Sequence, residues 1–200
     1  MSGHTHPHTT PHLTIGTLGH PGHGKTTLAA ALAAAHAPGT SCPRPPVYAE
    51  SRSPATPGRR RRRFRYETDT RRYTLIDPPE SPEHPLNPDL LDYWDGAVLV
   101  VSALEGVRPG TAGHLSLARR SGLVHLVVAL TMADAGNDEL TDLVEADVRA
   151  QLTAHGFAGE TLPAVRVSAR RALEGDQRWQ STIEALLDAV DTYVPLPGVL

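Results

Sequence analysis

The segment Gly19-His20-Pro21-Gly22-His23-Gly24-Lys25-Thr26 restricts the fold of this chain more than any other. It satisfies the spacing G-x-x-x-x-G-K-[ST], a loop that works only between a strand and a helix. Both flanks fit. Residues 13–19 alternate and predict a strand. From Lys25 to about His36 the chain is rich in Ala and Leu, which predicts a helix ended by Pro38-Gly39. Gly19, Gly22 and Gly24 let the backbone turn so that successive N–H groups, with His20 and His23 between them, point at an anion. The helix N-terminus adds partial positive charge. In this arrangement Lys25 serves the β- and γ-phosphates, the Thr26 hydroxyl is placed to ligate Mg²⁺, and Thr27 reaches the α-phosphate. Lys25 is the only lysine beside 18 arginines. The arginine excess fits coding bias toward GC-rich codons, and a lone lysine at this position stands out against it.

The rest of the chain alternates strand and helix signals. Residues 64–68 and 72–77 read as strands, as do the apolar runs 97–103 and 125–131 and the segment 164–169. Helices are expected near 110–120, over 137–154 with Leu140, Leu143, Val144, Val148 and Leu152 on one face, and through Ile183, Leu186, Leu187, Val190 and Tyr193. Asn87-Pro88 predicts a helix cap and first position. The expected fold is therefore α/β, a phosphate-loop three-layer sandwich with a mostly parallel sheet and helices on both faces. At 200 residues it is one domain, here placed at 13–196. A His-rich tail, expected to be disordered, occupies 1–12, and a mobile Pro/Arg-rich loop is expected over 38–63, where six prolines fall between 38 and 58. A formal charge of −3 gives no general attraction to polyanions. A single cysteine, Cys42, excludes an internal disulfide, and no apolar run is long enough to span a bilayer. With no apolar secretion signal at residues 1–12, the expectation is a cytoplasmic protein without membrane contact.

From Pro11 onward the chain resembles the GTP-binding domain of bacterial elongation factor Tu. The resemblance rests on Pro11-His-Leu-Thr-Ile-Gly-Thr-Leu-Gly-His20, His23-Gly-Lys-Thr-Thr-Leu-Ala-Ala-Ala31, Tyr66-Glu-Thr-Asp-Thr-Arg-Arg-Tyr73 and Asp77-Pro-Pro. Further blocks follow in order: Asp95-Gly-Ala-Val-Leu-Val-Val101, Glu145-Ala-Asp-Val-Arg149, Ser168-Ala, Ala172-Leu-Glu-Gly-Asp176 and Trp179. It implies a G-domain fold and binding of GTP or GDP with Mg²⁺, the metal site being Thr26 as ligand with Asp77 as an outer-shell partner. It also implies that Asp134 accepts from the guanine ring N–H and amino group, and that the Ser168-Ala169 turn meets the guanine oxygen.

The departures are as informative. The family's switch glycine and catalytic histidine are Glu80 and Ser81 here, and a serine replaces neither the position nor the charge of an imidazole. His84 lies three residues past that histidine position. Pro82, Pro85 and Pro88 interrupt the switch helix. The first-switch threonine has only Thr56 as a substitute. The guanine-reading Asn-Lys-x-Asp is Thr131-Met132-Ala133-Asp134, and the family's loop aspartate is Gly22. The two β-barrel domains that follow in the family have no counterpart within these 200 residues. The expected function is guanine-nucleotide binding with weak or impaired hydrolysis.

Arg59, Arg60, Arg61, Arg62, Arg63 and Arg65, with Arg71 and Arg72, place eight positive charges within fourteen residues. A solvated, self-repelling loop is the first reading of such a run. Neutralisation by the acidic residues from Asp77 to Asp95 is another. Binding to RNA or the ribosome is a third, and it supports an alternative function: a non-hydrolysing interaction protein that keeps the domain shape. The Pro21-Gly22 spelling also suits ATP-dependent kinases or motors, but no acceptor site for such a reaction is found.

Overall fold

A computed structural model describes residues 10–35, 49–52, 60–78 and 86–196. The strands are β1 (His12–Leu18), β2 (Ala49–Arg52), β3 (Arg60–Glu67), β4 (Arg72–Asp77), β5 (Gly96–Ser102), β6 (Leu126–Thr131) and β7 (Ala164–Arg166). The helices are α1 (Lys25–Ala35), α2 (Pro109–Arg120), α3 (Asp138–Ala154), α4 (Ala169–Leu173) and α5 (Gln177–Tyr193), with a 3₁₀ helix over Pro88–Tyr93. The strands form one sheet in the order β2-β3-β4-β1-β5-β6-β7. The pairs β4/β1, β1/β5, β5/β6 and β6/β7 are parallel, and β2/β3 and β3/β4 are antiparallel.

Period-two alternation divides the core between the two faces. Val98 and Val100 join Leu13, Ile15, Phe64, Tyr66 and Leu75 under α1, α4 and α5. Ala97, Leu99 and Val101 join Leu18, Trp94, Leu126, Val128 and Leu130 under α2, α3 and the 3₁₀ helix. The three-layer expectation holds. The chain runs from β1 to β4 on one side and returns across β1 to β5 on the other, which puts a topological switch at the carboxyl end of β1. In open α/β sheets ligands bind at such crevices.

Several boundaries move. Within the segment 38–63, expected to be loop, residues 49–52 and 60–63 pair as strand: Ala49↔Arg63 through Arg52↔Arg60, and Arg62↔Asp77 and Arg63↔Ile76 onward. The self-repelling loop reading of the arginine run is thereby corrected for residues 60–65, since pairing with β2 (60–63) and with β4 (from 62 onward) holds them in strand. His12 belongs to β1 and not to the tail. On α3 the buried residues are Thr141, Val144, Val148 and Leu152, while Leu140 and Leu143 are exposed. The apolar stripe is rotated by part of a turn because Thr141, whose hydroxyl donates to the Asn137 carbonyl, takes a buried place on that face. Tyr193 is likewise exposed at the end of α5. The strand expected at 164–169 stops at Arg166, where Ser168 turns the chain into α4 and caps it. Asn87 does cap the segment after it, with Pro88 at its start, but that segment winds as a 3₁₀ helix. The residues named at positions 1–9, 36–48, 53–59 and 79–85, among them Cys42, Thr56, Arg59, Glu80, Ser81, Pro82, His84 and Pro85, lie outside the described residues.

Candidate functional site

The loop between β1 and α1 has the backbone shape its glycines allow. Gly19, Gly22 and Gly24 have φ of 131°, 91° and 84°, and α1 begins at Lys25. Lys25 is buried and its ammonium donates to the Gly19 carbonyl across the loop. The cation is thus folded back over the concavity where an anion would sit.

Asp77, at the end of β4, fixes one end of the site. It is buried, its Oδ1 accepts from the Thr17 hydroxyl at 3.0 Å, and its Oδ2 accepts from the Thr26 hydroxyl at 2.6 Å. Thr26 and Asp77, both expected at a metal ion, therefore lie side by side. A hydroxyl and a carboxylate, the latter held by a second hydroxyl, make a set of hard oxygen donors that fits Mg²⁺. Arg62 joins them, although no local pattern in the chain places it there. Its Nη1 donates to Thr26 Oγ1 at 3.0 Å and lies 3.9 Å from Asp77 Oδ2.

The other end is a cavity of about 370 Å³ lined by Gly24, Thr27, Met132, Asp134, Ser168 and Ala169 among others. Five of the residues singled out in the sequence meet here. The Asp134 side chain is only 11% exposed and lies 3.6 Å from Arg171 Nε and 3.7 Å from Arg170 Nη2. It does not cap α3, since Asn137 does. The Ser168 hydroxyl accepts from the Arg171 N–H at 3.4 Å, which leaves the turn's backbone to any base-facing role. Thr131, read in the sequence only as a lost asparagine, ties the phosphate loop to the sheet. Its hydroxyl is within hydrogen-bond reach of the His23 carbonyl at 2.7 Å and the Val101 carbonyl at 3.2 Å. Met132 follows in the left-handed region at φ 57°, where the chain turns over the cavity.

Histidines line the back of the loop. His23 is fully buried, and burial lowers its pKa. His20 lies beside it, the ring centroids 5.3 Å apart. His114 of α2 accepts the Gly19 N–H on Nδ1 at 3.0 Å. Burial first, then the charges of Lys25 and His20, push the His114 pKa down to about 4. Its unfolded value is near 6.5, so between pH 6.5 and 4 the unfolded chain binds the proton and the folded chain does not. Stability is complete above pH 6.5 and falls as pH drops toward 4, by up to roughly 3 kcal/mol from this group. Urea unfolding from pH 7 to pH 4 should show that slope, and His114→Asn should flatten it. Parallel slopes for the two proteins would remove His114 as the cause.

Comparison with known proteins covers both ends of this site. The elongation factor Tu GTP binding domain family matches residues 60–196, a stretch that holds Asp77, Asp134 and Ser168. Elongation factor Tu 2 of Streptomyces avermitilis is 52% identical over 194 residues, which covers 94% of this chain and so includes the phosphate loop. The chain spans about half the length of that curated relative, 50% of which is covered.

Proposed function

Because the chain belongs to the elongation factor Tu GTP-binding domain family, we propose that it binds a guanosine di- or triphosphate, phosphates in the loop and base in the cavity. The observation that carries this reading is the convergence on one crevice of the glycine loop, Lys25, the Thr26–Asp77 pair and Asp134. Gly19, His20, Gly22, His23 and Gly24 supply backbone to the phosphates, Lys25 the charge, Thr26 and Thr27 hydroxyls. Thr26 and Asp77 would hold Mg²⁺, whose charge, when bound, offsets that of the β- and γ-phosphates. Asp134 accepts from the guanine N1–H and 2-amino group, with Ser168-Ala169 at the guanine oxygen. Adenine presents an acceptor at N1, so the same carboxylate opposes it.

Removing Asp134 tests the base assignment. A hydrogen bond to a charged group contributes about 1.5–3 kcal/mol, so Asp134→Ala should weaken GDP roughly ten- to a hundredfold and leave tripolyphosphate unchanged. Calorimetric titration of both ligands, with ADP alongside, checks this. ADP binding the unchanged protein as tightly as GDP would refute the guanine assignment.

Hydrolysis in this reading is slow. In-line attack on a γ-phosphate depends on positioning and electrostatics, and Ser81 stands where the family has its histidine. The second reading, a non-hydrolysing protein that meets RNA or the ribosome in the cytoplasm, draws on Arg63 and Arg65, exposed on a strand near the sheet edge. RNA affinity that falls with the logarithm of salt and disappears when both become Ser would support it. Membrane binding is no part of either reading, and no described helix is long and apolar enough to cross one.

A further inference from the structure

Strand register brings a tethered cation to the place where the fold expects a diffusible metal ion. β3 runs antiparallel to β4 with Arg62 directly opposite Asp77. Period-two alternation puts Arg62 on the same face as Phe64 and Tyr66, the face covered by α1. The first turn of α1 begins there, so the Arg62 side chain meets Thr26. Its guanidinium donates to Thr26 Oγ1 at 3.0 Å and lies 3.9 Å from Asp77 Oδ2. Those two oxygens are the ones the nucleotide reading assigns to a divalent ion. Thr26 gives its proton to Asp77 and accepts from Arg62, so the hydroxyl is engaged in both directions. A guanidinium keeps its charge at any pH a folded protein meets, and its planar fork suits carboxylate and phosphate oxygens alike.

We propose that Arg62 is a built-in counter-cation that competes with divalent metal for the Thr26–Asp77 oxygens and faces the terminal phosphates of a bound nucleotide, so that nucleotide binding by this chain depends only weakly on Mg²⁺. The proposal rests on the phosphate-loop reading for its nucleotide half and on the Arg62–Thr26–Asp77 geometry for its metal half. The Arg62 side chain is 48% exposed, so replacing it leaves the core intact. It can therefore swing from Thr26 to a phosphate oxygen without unfolding β3.

Two measurements on the full chain test the two halves. In the first, GDP affinity is measured by calorimetry in 5 mM Mg²⁺ and in excess EDTA, at roughly these standard concentrations. The unchanged protein should lose less than about fivefold on removal of metal, whereas Arg62→Gln and Arg62→Ala should lose roughly tenfold or more. Arg62→Gln keeps a polar amide donor but neither the charge nor the full reach, so its agreement with Arg62→Ala assigns the effect to the charged guanidinium and not to side-chain polarity. In the second, Mn²⁺ uptake is followed by electron paramagnetic resonance without nucleotide. Arg62→Gln should take up the ion about tenfold more tightly than the unchanged chain.

A large loss of GDP affinity in EDTA by the unchanged protein, equal to that of the variants, overturns the proposal. Equal Mn²⁺ uptake by variant and unchanged chain overturns it as well. If neither protein binds GDP in any buffer, the phosphate-loop reading fails, and the nucleotide half of the proposal falls with it. Tighter Mn²⁺ uptake by the variants would then still establish the competition for Thr26 and Asp77.

Discussion

Lys25→Ala should cost the chain its affinity for GDP and GTP by about a hundredfold or more. Truncating one partner of a buried, hydrogen-bonded charge pair costs on the order of 2–5 kcal/mol, because the partner is left desolvated and unpaired. Lys25 is buried and folded over the loop concavity. No second lysine exists in the sequence, and Arg62 stands at the Thr26–Asp77 end of the site. Lys25→Arg should fail to rescue, because the planar guanidinium is larger and does not act as a point charge. The loss should appear as affinity and not as collapse. Removing the ammonium leaves the Gly19 carbonyl to water, a cost of about 1 kcal/mol. Calorimetric titration alongside a urea unfolding curve separates the two, and unchanged GDP affinity in Lys25→Ala would remove the loop's assigned role.

Gly19→Ala should be the most destabilising single substitution in the loop. Gly19 sits at φ 131°, outside the range open to other residues, and a Cβ there would fall 2.1 Å from the Val100 carbonyl oxygen of β5. The obstacle is the backbone of a fully buried central strand, so it cannot swing aside as a side chain would. Strain and overpacking together point to a loss on the order of 4 kcal/mol. For a chain of this size each kcal/mol lowers Tm by roughly 2–4 °C, so a fall of about 8–16 °C is expected. Gly22→Ala provides the contrast. It shares a positive φ of 91°, but nothing lies within 4 Å of its added Cβ. It should pay only the left-handed backbone penalty, about 1–2 kcal/mol. Equal thermal shifts for the two variants would show that the β5 contact is not what holds the first turn of the loop.

The parts of the site visible in sequence are those whose chemistry is local. Gly19 through Thr27 lie in one continuous motif, and the roles proposed for them follow from its spacing. Asp77 was legible because it closes an alternating strand before a Pro-Pro turn. Arg62 was not, because its meeting with Thr26 depends on the register of β3 against β4, which pairs residues far apart in the chain. The signal nearest to it was the alternation of Phe64 and Tyr66, which continues backward to Arg62 once the arginines are read as strand. Thr131 was hidden for a similar reason. Its value lies in carbonyls of the loop and of β5 brought to it by folding. On α3 the leucines at 140 and 143 drew the stripe one position too far round, since a buried Thr141, satisfied by the Asn137 carbonyl, carries no hydrophobic signal. α4, at five residues, is shorter than any periodicity can report.

The most direct check is a calorimetric titration of the unaltered 200-residue chain with GDP. A single saturable site, filled by GDP in preference to ADP and lost in Lys25→Ala, is the expected outcome. No heat of binding and no thermal stabilisation with millimolar GDP or GTP would contradict the assignment of this crevice to a guanine nucleotide.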